Sequence, residues 1–426
     1  SQDASLGIKQ SPASPLLDCR TKSSADDRSV PHLLQSNAPE STCFPQKISA
    51  LTHDEALLFH HFTVHLSHWL DCTNAMRIMS LRVPEMAREC PILRHAVLCF
   101  AARHRREDRT AEAAHQRCVT LLIDRLNEDS ASYNEMLLAA VLLLHFADQL
   151  NVQSRAGLRN KHHLTGSSGM LRASQSTRFV DPSAPTFREA AFWVYLRQCL
   201  YNATISQQPL DIDFSLRLHP APDSLQDLHP LAWLRLETAW ANQMLWHAAC
   251  VANFCFTGAA THSEPTLSTN QWQELWEMIQ KWHINRPRTF DPIGSGPAED
   301  GSVFPDIWFT ADWHVISYVF YHFSCVLLLK YKPGPKSGIR LVHDKVSNLD
   351  RRILDHAQAI CCACKSSPQN VQLLVILCHT VFIWGPLLSN PEKRIEVIHL
   401  LILFEQDHSW GTAWIVTALK IEWGMD

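Results

Sequence analysis

The sequence predicts an all-α protein, an irregular helical array or solenoid of about a dozen helices that starts near Leu51. Three observations predict it. Apolar residues recur at helical spacing in one segment after another, separated by short connectors rich in Pro, Gly and Asp. Alternation of the kind that marks a strand is confined to a few residues at Leu210–Leu216. Only 13 of 426 residues are Gly, and no alternating strand–helix pattern accompanies them, which disfavours parallel-sheet nucleotide folds. No fixed-period repeat is visible, so tetratricopeptide and armadillo arrays are not indicated.

Ser1–Lys47 is rich in Ser, Pro, Asp and Gln and lacks periodicity, so residues 1–50 read as a disordered linker or tail and 51–426 as the helical domain. At Thr52-His53-Asp54-Glu55 a capping box opens the first helix, with an apolar stripe at Leu58, Phe62, Leu66, Trp69 and Leu70. Pro91 starts the next helix, which runs into the charged segment Arg103–Arg109. Helices follow over Ala113–Leu126 and Asn134–Leu150, with a short one inside Gly157–Ala173. Phe187–Gln207 places Phe192, Trp193 and Leu196 on one face and predicts a buried central helix, with Arg197 set to meet a carboxylate. Leu231–Phe256 carries Trp233, Trp240 and Trp246 among its apolar positions. Ser268 is expected to cap Gln271–Trp282, and Trp308–Tyr331 to form a long apolar helix ended by Pro333-Gly334-Pro335. Asp350–Cys364, Val371–Trp384, Pro391–Phe404 and Trp414–Trp423 complete the series.

Composition narrows the function. The chain is 46 % hydrophobic and only 19 % charged, which suits a thick core, and its formal net charge of −4 argues against binding nucleic acid through its whole surface. No stretch reaches about 18 uninterrupted apolar residues, so no membrane span is predicted, the nearest candidate being Val371–Leu388. Most of the fourteen cysteines, for example Cys99, Cys118, Cys250 and Cys325, fall at apolar helical positions and read as small hydrophobes in intracellular usage. His61, His65 and His68 share a helix face, and Cys361-Cys362-Ala363-Cys364 has the look of a metal motif. The histidines flank an amphipathic helix and the cysteines lack a second pair, so no metal site and no catalytic residue is assigned. Three basic regions stand out: Arg103 to Arg109, Arg155 to Lys161, and Lys330, Lys332 and Lys336. The first reads as a solvated helix end, and the third suits a helix C-terminus. Phosphate loops, nucleophile elbows and aspartate-rich diphosphate motifs are absent.

Several blocks taken together carry a resemblance. Leu57-Leu58-x-His60-His61-Phe62 leads to Leu66-x-x-Trp69-Leu70-Asp71. Val83-Pro84-Glu85-Met86-Ala87 precedes Pro91-Ile92-Leu93-x-x-Ala96-Val97 and Ala101-Ala102-Arg103-His104. Ala190-Ala191-Phe192-Trp193-Val194-Tyr195-Leu196-Arg197-Gln198 is followed by Gln207-Gln208-Pro209. Then come Trp282-x-x-x-Arg286-Pro287-x-x-Phe290-x-Pro292-Ile293, Phe304-Pro305-x-Ile307-Trp308-Phe309, Trp410-x-Thr412 and Trp423-Gly424. In order and spacing these blocks resemble the fungal-specific transcription factor domain, the helical region that follows the six-cysteine binuclear zinc cluster of fungal regulators. Only Cys19 and Cys43 precede residue 50, so the zinc cluster is not in this chain, and Ser1–Lys47 resembles the linker that follows it.

The resemblance implies a nuclear regulatory domain that binds a small-molecule effector, a coactivator or a second protomer. It would contact DNA only through a module not in this chain, with no membrane partner and no cofactor beyond that module's zinc. A small group of fungal terpene cyclases of the humulene-forming type also resembles this domain. That alternative implies a cytoplasmic, magnesium-dependent enzyme acting on a prenyl diphosphate, its carbocations stabilised by aromatic rings. Candidate ligand-pocket residues under either reading are Trp193, Arg197, Trp240, Lys281, Tyr318 and Lys330. Candidate metal-holding acids for the enzyme are Asp71, Asp124, Glu135 and Asp148.

Overall fold

Thr52 and Glu55 cap the first helix reciprocally: the Thr52 hydroxyl accepts from the Glu55 amide at 3.3 Å, and the Thr52 amide donates to the Glu55 carboxylate at 2.9 Å. A computed structural model describes residues 51–127, 135–151, 178–222, 225, 232–260, 265–298, 301–333 and 348–425. The chain divides into units Ser1–Lys47 and Ile48–Asp426, and all described residues belong to the second. The tail and the short helix expected inside Gly157–Ala173 lie outside the described residues.

Thirteen α-helices form among the described residues. The first five are α1 (His53–His61), α2 (Ile78–Glu89), α3 (Pro91–His104), α4 (Asp108–Leu126) and α5 (Glu135–Leu150). Helix α3 is their hub and packs on the other four. The stripe Leu58, Phe62, Leu66, Trp69 and Leu70 is buried as its spacing predicts. Its backbone is less regular than that spacing suggests, passing from α1 into a π turn at Phe62–Leu66 and a 3₁₀ turn at Ser67–Trp69. The Thr63 and Ser67 hydroxyls donate to carbonyls four residues back, competing with the ladder. Helix α2 is not foreseen from sequence, because Pro84 in its middle removes a ladder donor. What holds its start is Asp71, whose carboxylate accepts from the amides of Met79 at 3.2 Å and Ser80 at 2.5 Å.

Helix α6 (Phe187–Ser206) joins two groups of helices. It packs on α2 and α5 on one side, and on α7 (Ala232–Ala260) and α11 (Val371–Trp384) on the other. In the second group α9 (Asp312–Lys330) is the hub, in contact with α7, α8 (Pro265–Asn285), α10 (Asn348–Ser366) and α11. Helices α12 (Pro391–His408) and α13 (Ala413–Trp423) close the series. The last helices return to the first: the Ser409 hydroxyl donates to the His104 carbonyl at 2.7 Å, and the Arg106 guanidinium to that of Glu405 at 3.0 Å.

Several expected boundaries move. Helix α8 begins at Pro265, so Ser268 lies inside it and is not its cap; proline suits a first helical turn, where no ladder donor is needed. Helix α9 begins only at Asp312, because Asp306–Trp308 pairs antiparallel with Gly294–Gly296. A second pair, Phe179–Val180 with Arg217–Leu218, is parallel, and these two-stranded pairs are the only strands among the described residues. Trp233 is 53 % exposed at the start of α7, whereas Trp240 and Trp246 are buried. Helix α9 is long and apolar enough to cross a bilayer by length and composition, which the sequence reading did not recognise, but 78 % of its most apolar window is buried in the protein.

Several buried tryptophans satisfy their indole N–H groups within the core. Trp272 donates to the Leu328 carbonyl at 2.7 Å, Trp282 to that of Trp240 at 3.0 Å, Trp423 to that of Gly385 at 2.9 Å and Trp193 to that of Asp181 at 3.3 Å. Trp193 is 2 % exposed in the joining helix. Its replacement by alanine is expected to cost about 3–5 kcal/mol through the cavity it leaves. Trp233→Ala should cost under about 0.5 kcal/mol. Urea unfolding of the two variants checks this, and equal midpoints would refute the assignment of α6 as the core joint.

Candidate functional site

The six candidate pocket residues do not meet in one site. Trp193 is packed into the core beside Phe192. Trp240 is buried against Trp282, with ring centroids 6.4 Å apart. Tyr318 packs on Phe309 and His322, and burial pushes its hydroxyl up to about 12. Lys281 and Lys330 lie exposed on α8 and at the end of α9. Arg197 lines a small cavity with Gln198, Gln372 and His379. It does not meet a carboxylate as expected: its guanidinium donates to the carbonyls of Leu70 at 2.6 Å and Trp69 at 3.4 Å, and to the Thr73 hydroxyl at 3.1 Å. Tertiary folding puts the 66–77 turn over its side chain before any acid can reach it.

The candidate acids are equally dispersed. Asp71 is buried at the start of α2 with both oxygens taken by amides, and burial holds its carboxyl above the usual range. Asp124 is exposed on α4. Asp148 lies 3.8 Å from His115, and Glu135 is partly buried at the start of α5. Carboxylates so placed do not fit a shared magnesium ion.

The histidine face of the first helix is rearranged by the π turn. His61 meets His65 at 4.8 Å between rings, and α3 brings His104 to 3.1 Å from His61, Nε2 to Nδ1. His68 turns elsewhere, towards Asp312 and Gln372. Among the described residues no group of three His, Cys, Asp or Glu side chains is placed to hold a metal ion. Cys361, Cys362 and Cys364 are buried, and burial raises their thiols. The Arg103 cluster is more than a solvated helix end. Arg103 is buried and pairs with Asp108 at 2.9 Å and Glu112 at 3.6 Å, while Arg106 reaches α12. Lys332 sits over the Trp272 ring at 5.1 Å; Lys336 and the Arg155 to Lys161 region lie outside the described residues.

Sequence reasoning missed a buried acid. Glu237 on α7 accepts hydrogen bonds from Thr289 at 2.5 Å, from the Trp313 indole at 2.6 Å and from His314. Burial works to raise its carboxyl, but those three bonds outweigh it and hold the group below its usual range. The network ties α7, the 288–290 turn and α9 together. An isolated Glu in an apolar helix was the available signal, since such a residue stays only when paired.

A groove of about 330 Å³ opens between α10, the end of α11 and the start of α12. Phe304, Leu354, Trp384 and Leu388 give it an apolar floor, and Arg351 and Lys393 stand at its side with Asp355. Lys393 is positioned by Gln358, to whose amide oxygen it donates at 2.6 Å, and Asn390 caps α12 through the Lys393 amide at 2.9 Å. Phe304 is fixed from both sides: Glu396 accepts from its amide at 3.3 Å, and Lys365 donates to its carbonyl at 3.1 Å. A volume near 300 Å³ with an apolar floor and a few placed polar groups is what a small-molecule site needs. None of the six residues singled out from sequence lines this groove. No protein-family model, curated protein or solved structure matches the chain.

The described helices are also joined through neutral histidines. His322 and His356 approach at 2.8 Å between Nδ1 atoms, so one ring must accept. Burial pushes His61, His247 and His356 down to about 4 and His104 and His379 to about 3, and it holds His322 well below the usual range. These groups are protonated in the unfolded chain below about pH 6.5 but not in the folded one. Their contribution is therefore complete above that pH and is lost as pH falls towards the folded values near 4. The melting temperature should hold steady above pH 7 and drop steeply between pH 6.5 and 4, and His247→Phe should flatten part of that slope. A profile flat down to pH 4.5 would contradict the burial of these rings.

Proposed function

We propose that the chain is the effector-binding regulatory domain of a nuclear transcription regulator of the fungal zinc-cluster type, acting by binding and not by catalysis. The observation that carries this reading is the groove of about 330 Å³, which offers an apolar floor and two cations but no cluster of carboxylates. Its chemistry suits an amphipathic acid whose hydrocarbon part lies on Phe304, Trp384 and Leu388 and whose anionic group meets Arg351 and Lys393. Contact with DNA belongs to a zinc-cluster module, and a coactivator or a second protomer is the macromolecular partner. The cyclase reading finds less support. Ionising a diphosphate needs several acids on magnesium, and Asp71, Asp124, Glu135 and Asp148 stand apart.

Two assays on the purified chain test this. Dodecanoate should raise the melting temperature in a saturable way. Arg351→Gln combined with Lys393→Gln should weaken its binding at least about tenfold; Arg351 is exposed, but Lys393 is half-buried and donates to Gln358, so the melting temperature of the free variant is measured beside that of the parent. Incubation with farnesyl diphosphate and Mg²⁺ should give no hydrocarbon by gas chromatography. A cyclic sesquiterpene that disappears on adding a chelator would establish the cyclase instead.

A further inference from the structure

Arg197 poses an electrostatic problem. It is 4 % exposed, and none of its hydrogen bonds goes to a carboxylate. Its partners are two carbonyls and a hydroxyl, which satisfy donors but bring no negative charge into contact with the guanidinium. Guanidinium does not give up its proton in proteins, so the charge cannot be relieved by titration. A buried charge is costly unless an opposite one accompanies it. Arg103, the other buried arginine among the described residues, has Asp108 and Glu112 against it. The nearby acids point away from the guanidinium: Asp71 accepts from the amides that start α2, and Asp312 pairs with Arg77 at 2.6 Å.

Beside Arg197 lies a cavity of about 20 Å³, enough for one water molecule or one monatomic ion. Three groups on its wall can donate to an occupant, His379 in the tautomer that carries its proton on Nε2. The Arg197 Nε–H is buried without a partner, and so is Nε2 of His379 on α11. Gln198 has its amide oxygen occupied by the Gln149 side chain at 2.6 Å, which leaves its NH₂ to offer. Gln372 adds a further amide from α11. The wall is thus rich in donors and carries a fixed positive charge.

We propose that this cavity is a site for one monatomic anion, chloride by size and availability, held by Arg197 with His379, Gln198 and Gln372. A water molecule would satisfy a donor but not the charge, and a polyatomic anion such as sulfate exceeds the space. The ion would sit between α6 and α11 and fasten the joining helix to the second group. This inference is independent of the groove and of the regulatory reading.

The test is the melting temperature of the full chain in sodium chloride, bromide, sulfate or gluconate at constant ionic strength. Chloride and bromide should raise it by at least about 2 °C in a saturable way relative to gluconate, and sulfate should not. His379→Phe should reduce the chloride effect and Arg197→Gln should abolish it. If the Arg197 variant does not fold, Gln372→Leu serves as the second reading, with a halide response smaller than that of the parent. Crystals grown in bromide should show an anomalous peak between Arg197 and His379. A melting temperature indifferent to the choice of chloride or gluconate overturns the proposal, as does a bromide-grown crystal with no peak in the cavity.

Discussion

The grip of Arg197 on the turn between residues 66 and 77 is the contact on which the rest of the arrangement depends. That turn carries three carbonyl or hydroxyl acceptors to the guanidinium. Other helices fasten the same turn. Thr238 of α7 accepts from the Ala75 amide at 2.9 Å, and Asp312 of α9 pairs with Arg77. The turn in turn presents Asp71 to the start of α2. Side chains from α6, α7 and α9 thus converge on one irregular segment, and through it the first helices are set against the later ones.

A polar fastening of this kind carries a constraint. Each buried donor must find an acceptor, and each buried charge a counter-charge, or folding loses more than the contact supplies. The chain meets the first demand at Glu237, whose three donors come from the 288–290 turn and α9, and the second at Arg103, which has two acids. It meets it with neutral imidazoles at His61–His104 and His322–His356, where one ring donates to the other. Such joints are specific in geometry, because a displaced helix would strand several polar groups at once.

Regular helices with ordinary caps were legible in the sequence. The Thr52 capping box, the Pro91 start and the Val371–Trp384 segment could be read because each depends on residues within one or two turns. The misreadings fall where a distant group decides. Helix α2 tolerates Pro84 because Asp71 and the packing of Met79 and Val83 hold it. Trp308 leaves the expected helix because Gly294–Gly296 is there to pair with it. The groove was not legible, since its wall is drawn from Phe304, α10 and α12, and none of these segments carries a motif by itself.

The sequence by itself determined the all-α class, most helix limits, the burial of the stripe from Leu58 to Leu70 and the central place of the Phe187–Ser206 helix. All of these follow from spacing of 3.6 residues per turn and from local capping chemistry. Tertiary structure alone decided which partner each buried polar side chain would meet. Arg197 was open to a carboxylate until the 66–77 turn supplied carbonyls instead, and Glu237 had no visible partner until the 288–290 turn and α9 arrived. Apolar burial is set by periodicity because any apolar neighbour will serve. Hydrogen bonds and charges require one particular group at one distance and angle, and which group stands there depends on how segments far apart in the chain come together.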